Sequence, residues 1–414
     1  MAVVFPGLLG QEPFRRFFVG QTASLVGDQV AAIAIPLTAL YVLDATPAQV
    51  GWLTAVALVP NVLFALVAGG LVDRSGSRRR VMLGADVARA VAVLSLPLAY
   101  FADGLSLPHL FVVAFVVGTC DVVFFVAYNA FVVALVRPAE FIPAMGLLNV
   151  SRAGAEIGGL SLGGVVVSAL TAPVALAING LSFVVSAMQL ARVRVHEAPP
   201  APRRSSALHL GDGLAWIWRH PVVRTMLLTS GAMNLFAFVA NAMLVVYASQ
   251  TLRMSASLIG FSFAVGAVGG LIGATTFARV QQLLGLGRAI VLASIAFPAA
   301  GFLYPLATGT GLEGAAWVAA GEALSAVFVI WLDIGLGAVF AQEVPDELRS
   351  RVAGAYRTVN YGVRPVGAAL GGLLADGLGL RHALWVSAIG ILVSGLFRVR
   401  PRLLAVQAPE ARPD

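Results

Sequence analysis

Twelve apolar runs, each long enough to cross a bilayer, constrain this chain more than any other feature. They read at roughly 18–43, 48–72, 81–102, 107–136, 144–169 and 173–194, and again at 222–250, 256–279, 288–308, 313–342, 352–376 and 382–398. A helix needs about 20 apolar residues to span hydrocarbon. Backbone in lipid must also satisfy its own hydrogen bonds, which favours helices for runs of this length. Only 11% of the 414 residues are charged, against about 25% in soluble domains. The expected fold class is an all-α membrane protein with twelve transmembrane helices.

The basic residues orient these spans. Lysine is absent, so all 27 are arginine. Arg253 and Arg381 fall outside, Arg89, Arg152, Arg357 and Arg364 fall within spans, and every other arginine falls at a segment assigned to the cytoplasm. Short Arg-rich loops stay inside, so both termini are expected there. The strongly basic balance therefore reads as topology, not as nucleic-acid binding. The absence of lysine with abundant Ala, Gly and Val points to a GC-rich bacterial genome, hence a bacterial inner membrane. A lone Cys120 excludes a disulfide framework, and no metal-ligand spacing is present.

The halves echo one another at an offset of roughly 208 residues: Pro13-Phe14-Arg15-Arg16 with Pro221-Val222-Val223-Arg224, Pro138-Ala139-Glu140 with Pro345-Asp346-Glu347, and Gly163-Gly164 with Gly371-Gly372. The expected organisation is two pseudo-symmetric six-helix bundles, 1–194 and 222–398, with a Pro/Arg/Ser-rich cytoplasmic linker at 195–221 and a tail at 399–414. Within the linker, 208–218 is expected to form a short helix on the membrane surface.

Between spans 2 and 3 runs Gly69-Gly70-Leu71-Val72-Asp73-Arg74-Ser75-Gly76-Ser77-Arg78-Arg79-Arg80. A segment this charged sits at a membrane face. Gly69 and Gly70 would permit close helix approach, and Gly76 a turn conformation that side chains resist. The stretch resembles the signature loop G-x-L-x-D-R-x-G-R-R of the major facilitator superfamily. Gly69, Leu71, Asp73, Arg74, Gly76 and Arg78 match, and Ser77 departs. The resemblance implies the major facilitator fold and a gating role for the loop, with Asp86 and Arg89 as supports at the start of span 3.

Phe14-Arg15-Arg16-Phe17-Phe18-Val19-Gly20-Gln21 through Gly27-Asp28, Asp86-Val87-Ala88-Arg89-Ala90, and Pro345-Asp346-Glu347-Leu348-Arg349-Ser350-Arg351-Val352 with Arg364-Pro365 are similar to bacterial efflux members related to enterobactin exporters and macrolide efflux proteins. That likeness implies proton-driven export of a small organic molecule. Two motifs of drug antiporters differ here: glycine replaces proline in the span 5 motif at Gly154 to Gly164, and Gly118-Thr119-Cys120-Asp121 stands where an arginine motif is common.

Ionisable groups inside a bilayer are costly and call for a partner, water or a function. Asp28 shares a helical face with Gln21 and Ser24; it reads as a proton-coupling acid or as a helix-packing hydrogen-bond partner. Asp121 precedes Phe124, Phe125 and Tyr128, an acid above an aromatic wall suited to a lipophilic or cationic guest, or an acid paired elsewhere over core aromatics. Arg152 and Glu156, four apart, are expected to pair, either permanently or until substrate or proton intervenes. Glu322 and Asp333 share a face of span 10 near Trp331. Arg357, Tyr361 and Arg364 follow one face of span 11 and would answer acids in the other half, hold an anionic substrate or, for Arg357, snorkel. Asn234, Phe238 and Asn241 add a polar and aromatic strip in span 7 that suits an amphipathic ligand.

No nucleophile–base pair or nucleotide fingerprint is present, so an enzyme is disfavoured. The reading is a monomeric secondary transporter, free of cofactors, with proton coupling candidates Asp28, Asp121, Glu156, Glu322 and Asp333. Its expected partners are protons, lipid and a small amphipathic substrate. Uptake symport and lipid flipping fit the same fold.

Overall fold

The structure is a computed structural model that describes residues 4–195, 197 and 210–398. Every regular element in it is helical. In order these are α1 (Val4–Gly10), α2 (Glu12–Val42), α3 (Pro47–Arg74), α4 (Arg78–Phe101), α5 (Leu107–Leu135), α6 (Phe141–Leu170), α7 (Ala172–Arg192), α8 (Leu210–Arg219), α9 (Pro221–Gln250), α10 (Ala256–Leu284), α11 (Leu286–Gly301), α12 (Leu303–Leu306), α13 (Leu312–Glu343), α14 (Asp346–Leu378) and α15 (Leu380–Leu396). Among the described residues, ten segments are long and apolar enough to cross a membrane. The long α14 stays outside that set because charged residues along it, Arg364 and Asp376 among them, lower its hydropathy, and α15 because it has only 17 residues.

The helix bounds follow local chemistry. Thr46 opens α3 with a capping box: its hydroxyl accepts from the Gln49 amide, and the Gln49 side chain accepts from the Thr46 amide at 2.9 Å. Gly76 closes the turn before α4 at φ +68°, a backbone region in which a Cβ is strained. Prolines 36, 60, 97, 298 and 365 lie inside helices. Membrane helices tolerate this because neighbouring groups re-satisfy the freed carbonyls.

Packing gathers the chain into two compact units. One is Met1–Arg203 with Ser255–Ala264, the other Arg204–Met254 with Val265–Asp414. In the first, α2 packs on α6 and α7, α3 on α5, and α4 on α5 and α7. Its core includes Phe14, Phe17, Phe131 and Met82. In the second, α9 packs on α14 and α15, and α11 on α13 and α15. The outward faces keep Leu63, Val67, Val91, Leu98 and Ile142 exposed. Apolar surface on this scale marks a lipid-facing wall.

Glycines set the closest approaches, though not where the sequence suggests. Gly69 and Gly70 face open space among the described residues, so no close helix contact is made there. The contact is made instead at Gly118, where a Cβ would strike the carbonyl of Ala57, and at Gly27, where it would strike the hydroxyl of Ser182. The short helix α8 occupies the predicted surface-helix position. It docks on α14 through Gly213, against the Arg351 carbonyl, and it buries Ile217. Most of the predicted linker, and the whole tail at 399–414, lie outside the described residues.

Candidate functional site

In the first unit the polar cluster is built around Arg89. Gly27 lets α2 settle on α7 at Ser182 and Asn179, which places Asp28 on the inner side of that seam. One turn of α4 carries Asp86 and Arg89, which bond to each other directly. Arg89 also donates through Nη1 to Asp121 of α5 at 2.6 Å. Ser186 of α7 donates to the second oxygen of Asp86 at 2.7 Å. The rings of Phe124 and Phe183 lie 4.4 Å from the guanidinium carbon, a distance at which the ring face attracts a cation. Asp28 has no ion-pair partner among the described residues, yet the charges of Asp121, Arg89 and Asp86 all act on it. One guanidinium therefore bonds two carboxylates, Asp86 and Asp121.

This arrangement differs from the expectation for Asp86 and Arg89. They do not support the cytoplasmic loop. Both are buried and turned inward, because a guanidinium held in hydrocarbon finds its counter-charge in the bundle and not at the distant turn. The wall beyond Asp121 also divides. Phe124 and Tyr128 face the interior, their rings 6.5 Å apart, with Tyr128 against Phe17. Phe125 points to the exposed side. Ser24 is buried, and Gln21 is partly so.

Arg152 and Glu156 do not pair: no ion pair joins them, and both are exposed on α6. The order explains this, since an acid four residues before a base pairs better along a helix than the reverse.

In the second unit a continuous polar strip joins α9 to α14. Asn234 donates to the Ser230 carbonyl at 3.0 Å and to Asn360 Oδ1 at 3.2 Å, while its own Oδ1 accepts from Arg364 Nε at 3.0 Å. Arg364 lies 3.9 Å from the Tyr361 ring centre and 5.0 Å from that of Phe238, and Arg357 covers Tyr361 at 5.0 Å. Tyr356 donates to the Ser230 hydroxyl at 2.8 Å. Arg398, just beyond α15, turns back into the unit and donates to Thr229 at 2.9 Å and Ser230 at 2.6 Å. Asn241 and Asp333 lie on exposed faces. A separate acid, Glu322 of α13, accepts from Tyr304 at 2.7 Å and packs against Gly266 of α10.

Trp331 is not a cavity residue. It is buried in the core, its Nε1 donating to the Gly273 carbonyl and the Thr276 hydroxyl, both at 3.1 Å, with Phe328 and Phe277 against its ring. Its polar handle is already used, as is usual for a buried tryptophan.

With this architecture in hand, the family model for the Major Facilitator Superfamily matches residues 17–368. The chain belongs to that superfamily. It is a transporter and not an enzyme. The multidrug efflux pump Tap of Mycobacterium tuberculosis is 25% identical to it, with 94% of each chain covered. The enterobactin exporter EntS of Escherichia coli is 24% identical, covering 92% of this chain and 90% of its own. The nucleoside transporter NupG, as a D323A mutant, shares the fold with a TM-score of 0.82 at 10% identity, over 94% of this chain and 99% of its own.

The facilitator signature loop is anchored within the first unit. Gly69, Arg74 and Gly76 lead into α4, while the side chain of Asp73 lies outside the described ones. Glu197 caps the helix that follows, accepting from the Ser77 hydroxyl at 2.9 Å and from the amides of Arg78 and Arg79 at 2.5 and 3.1 Å. A carboxylate at a helix N-terminus meets unsatisfied amides and the positive end of the dipole. Arg79 reaches the other way, donating to the carbonyls of Ala191 at 2.8 Å and Val193 at 2.9 Å at the end of α7.

Sequence reading missed Glu197, although an acid just past a span and facing an arginine-rich turn was a usable sign. It missed Ser186 and Tyr304 because each becomes a partner only through packing. Arg398 was read as a topology marker alone.

Proposed function

We propose that this transporter exports a small amphipathic organic molecule from the cytoplasm in exchange for protons, by alternating access. The observation that carries this is the Arg89 cluster. One cation amid Asp28, Asp86 and Asp121 leaves surplus negative charge in a low-dielectric interior, and a proton is the ion that Asp28 or Asp121 can take up and release there. The half-exposed Asp121 gives the cluster a path outward. The names of the relatives Tap and EntS support efflux, and the aromatic lining near Arg364 supports an amphipathic cargo. Counting α14 and α15 as spans makes twelve, with both termini at the cytoplasmic face of a bacterial inner membrane. The loop at Asp73 to Arg78 then acts as a gate at that face.

Proton movement in inverted vesicles tests the proposal. Respiration acidifies the lumen, a pH-sensitive dye follows it, and lipophilic compounds are added to wild type and to Asp28→Asn. Compound-induced alkalinisation that needs Asp28, with binding intact in the variant, is the expected result. A variant that matches wild type would sink the coupling role of Asp28. Uptake driven by the opposite gradient, or movement of a labelled lipid, would replace export with symport or flipping.

A further inference from the structure

The two units treat the arginines within their helix packing differently. Arg89 has carboxylates in bonding contact and a ring on each side. Arg364 sits mid-way along α14, where a guanidinium stays charged, and its contacts are neutral: Asn234, Tyr361 and Phe238. No carboxylate lies within ion-pair distance of it among the described residues. Arg398, just beyond α15, repeats the pattern against α9, about one turn before Asn234. It is 1% exposed and held by Thr229 and Ser230, and its Nη1 is buried with no hydrogen-bond partner among the described residues. That arginine opens on a cavity of about 80 Å³ shared with Ser230, Asn234 and Asp333. Asp333 lines the same cavity and is bonded to neither arginine.

A buried donor without an acceptor, such as Arg398 Nη1, is costly, and the partly buried Arg364 keeps its charge among neutral groups; an anion would answer both. Asn234 has spent its amide on Ser230 and Asn360, and its oxygen on Arg364, so the strip is rigid before any ligand arrives. The cavity has room for a carboxylate-sized group. The ring faces of Tyr361 and Phe238 continue the strip with apolar, aromatic surface.

We infer that the Arg364–Asn234–Arg398 strip of the second unit receives an acidic group of the substrate, so that the cargo is an amphipathic aromatic carboxylate or a closely similar monoanion. Asp333, on the wall of the same cavity, is a like charge that competes with the incoming acid for the arginines. This deepens the substrate class of the proposed exporter and rests on that reading, but its test needs neither a gradient nor transport.

Full-length protein in lipid nanodiscs is titrated with tritiated 2-naphthoate, biphenyl-4-carboxylate and 4-pentylbenzoate, each beside its primary amide. Wild type is expected to bind at least one acid about tenfold more tightly than its amide. Arg364→Gln is expected to erase that preference, bringing the ratio of acid to amide affinity to about one. Arg364→Lys keeps the charge without the fork and retains part of the preference. Asp333→Asn removes the competitor and is expected to strengthen acid binding about threefold or more, a gain that a purely structural role would not produce and that stands even if Arg364→Gln folds poorly. Equal affinity for acid and amide in all three pairs overturns the inference. So does an acid preference that survives Arg364→Gln and is unmoved by Asp333→Asn.

Discussion

Arg89 donates to Asp121 across 2.6 Å, yet the side chain of Arg89 is 5% exposed and that of Asp121 is 50% exposed. The pair therefore straddles the edge of the first unit's interior. Its cation is locked between two rings and Asp86, and its anion stands where water or cargo can reach it. A charged pair whose outer member faced lipid would carry the cost of an ion in hydrocarbon, which supports the proposal that this edge lies on the transport route.

Arg89→Leu leaves Asp86 buried beside no cation. Breaking a buried pair from one side costs about 3–5 kcal/mol. Thermal melting of the detergent-solubilised protein is expected to fall accordingly. Arg89→Leu with Asp86→Asn should recover a large part of the loss, because the uncompensated charge has gone. Simple additivity of the two single variants would show that the residues are not coupled.

Gly27→Val tests the seam that places Asp28. Its Cβ would meet Ser182 and Asn179 of α7, and forcing side-chain atoms into a packed contact costs about 1–3 kcal/mol. The variant should melt earlier, and adding Ser182→Ala should restore some stability. Wild-type melting in Gly27→Val would mean that α2 and α7 are not in contact there.

Glu197→Ala removes the acceptor for three donors at the start of α4. Losing a helix cap costs about 0.5–2 kcal/mol. Local opening is the sharper readout: in a Cys120→Ser background, a cysteine at Ser75 should react faster with maleimide once Glu197 is lost. An unchanged rate would remove Glu197 from the account of the signature loop.

Trp331→Phe keeps most of the core volume but leaves the Thr276 hydroxyl without its indole donor. The expected cost is about 1–3 kcal/mol of stability, with substrate affinity unchanged in a direct binding assay. Weakened binding without loss of stability would return Trp331 to the cargo site.

Much of the fold was legible because span detection uses local information. Helix α5 runs Leu107–Leu135 where the apolar run reads 107–136, and α9 runs Pro221–Gln250 where it reads 222–250. Gly76 could also be read, since its turn depends on one residue's φ. The candidate site was legible only in its membership. Asp28, Asp121 and Arg364 stand out as charges within spans, but nothing in their spacing says whom they meet. Where the reading used spacing alone it misplaced partners: Arg152 and Glu156 share a helix face without pairing, and Trp331 beside Asp333 belongs to the core.

The sequence by itself determined the helical membrane architecture and the superfamily. Hydrophobic length against bilayer thickness is a property of each segment, and the signature loop is a contiguous string. Only the tertiary structure decided that Arg89 finds Asp121 thirty-two positions away, that Arg398 turns inward to Ser230, and that Arg364 keeps neutral company. Those outcomes depend on distance and desolvation through space, which the packing of helices sets and which no single stretch of chain contains.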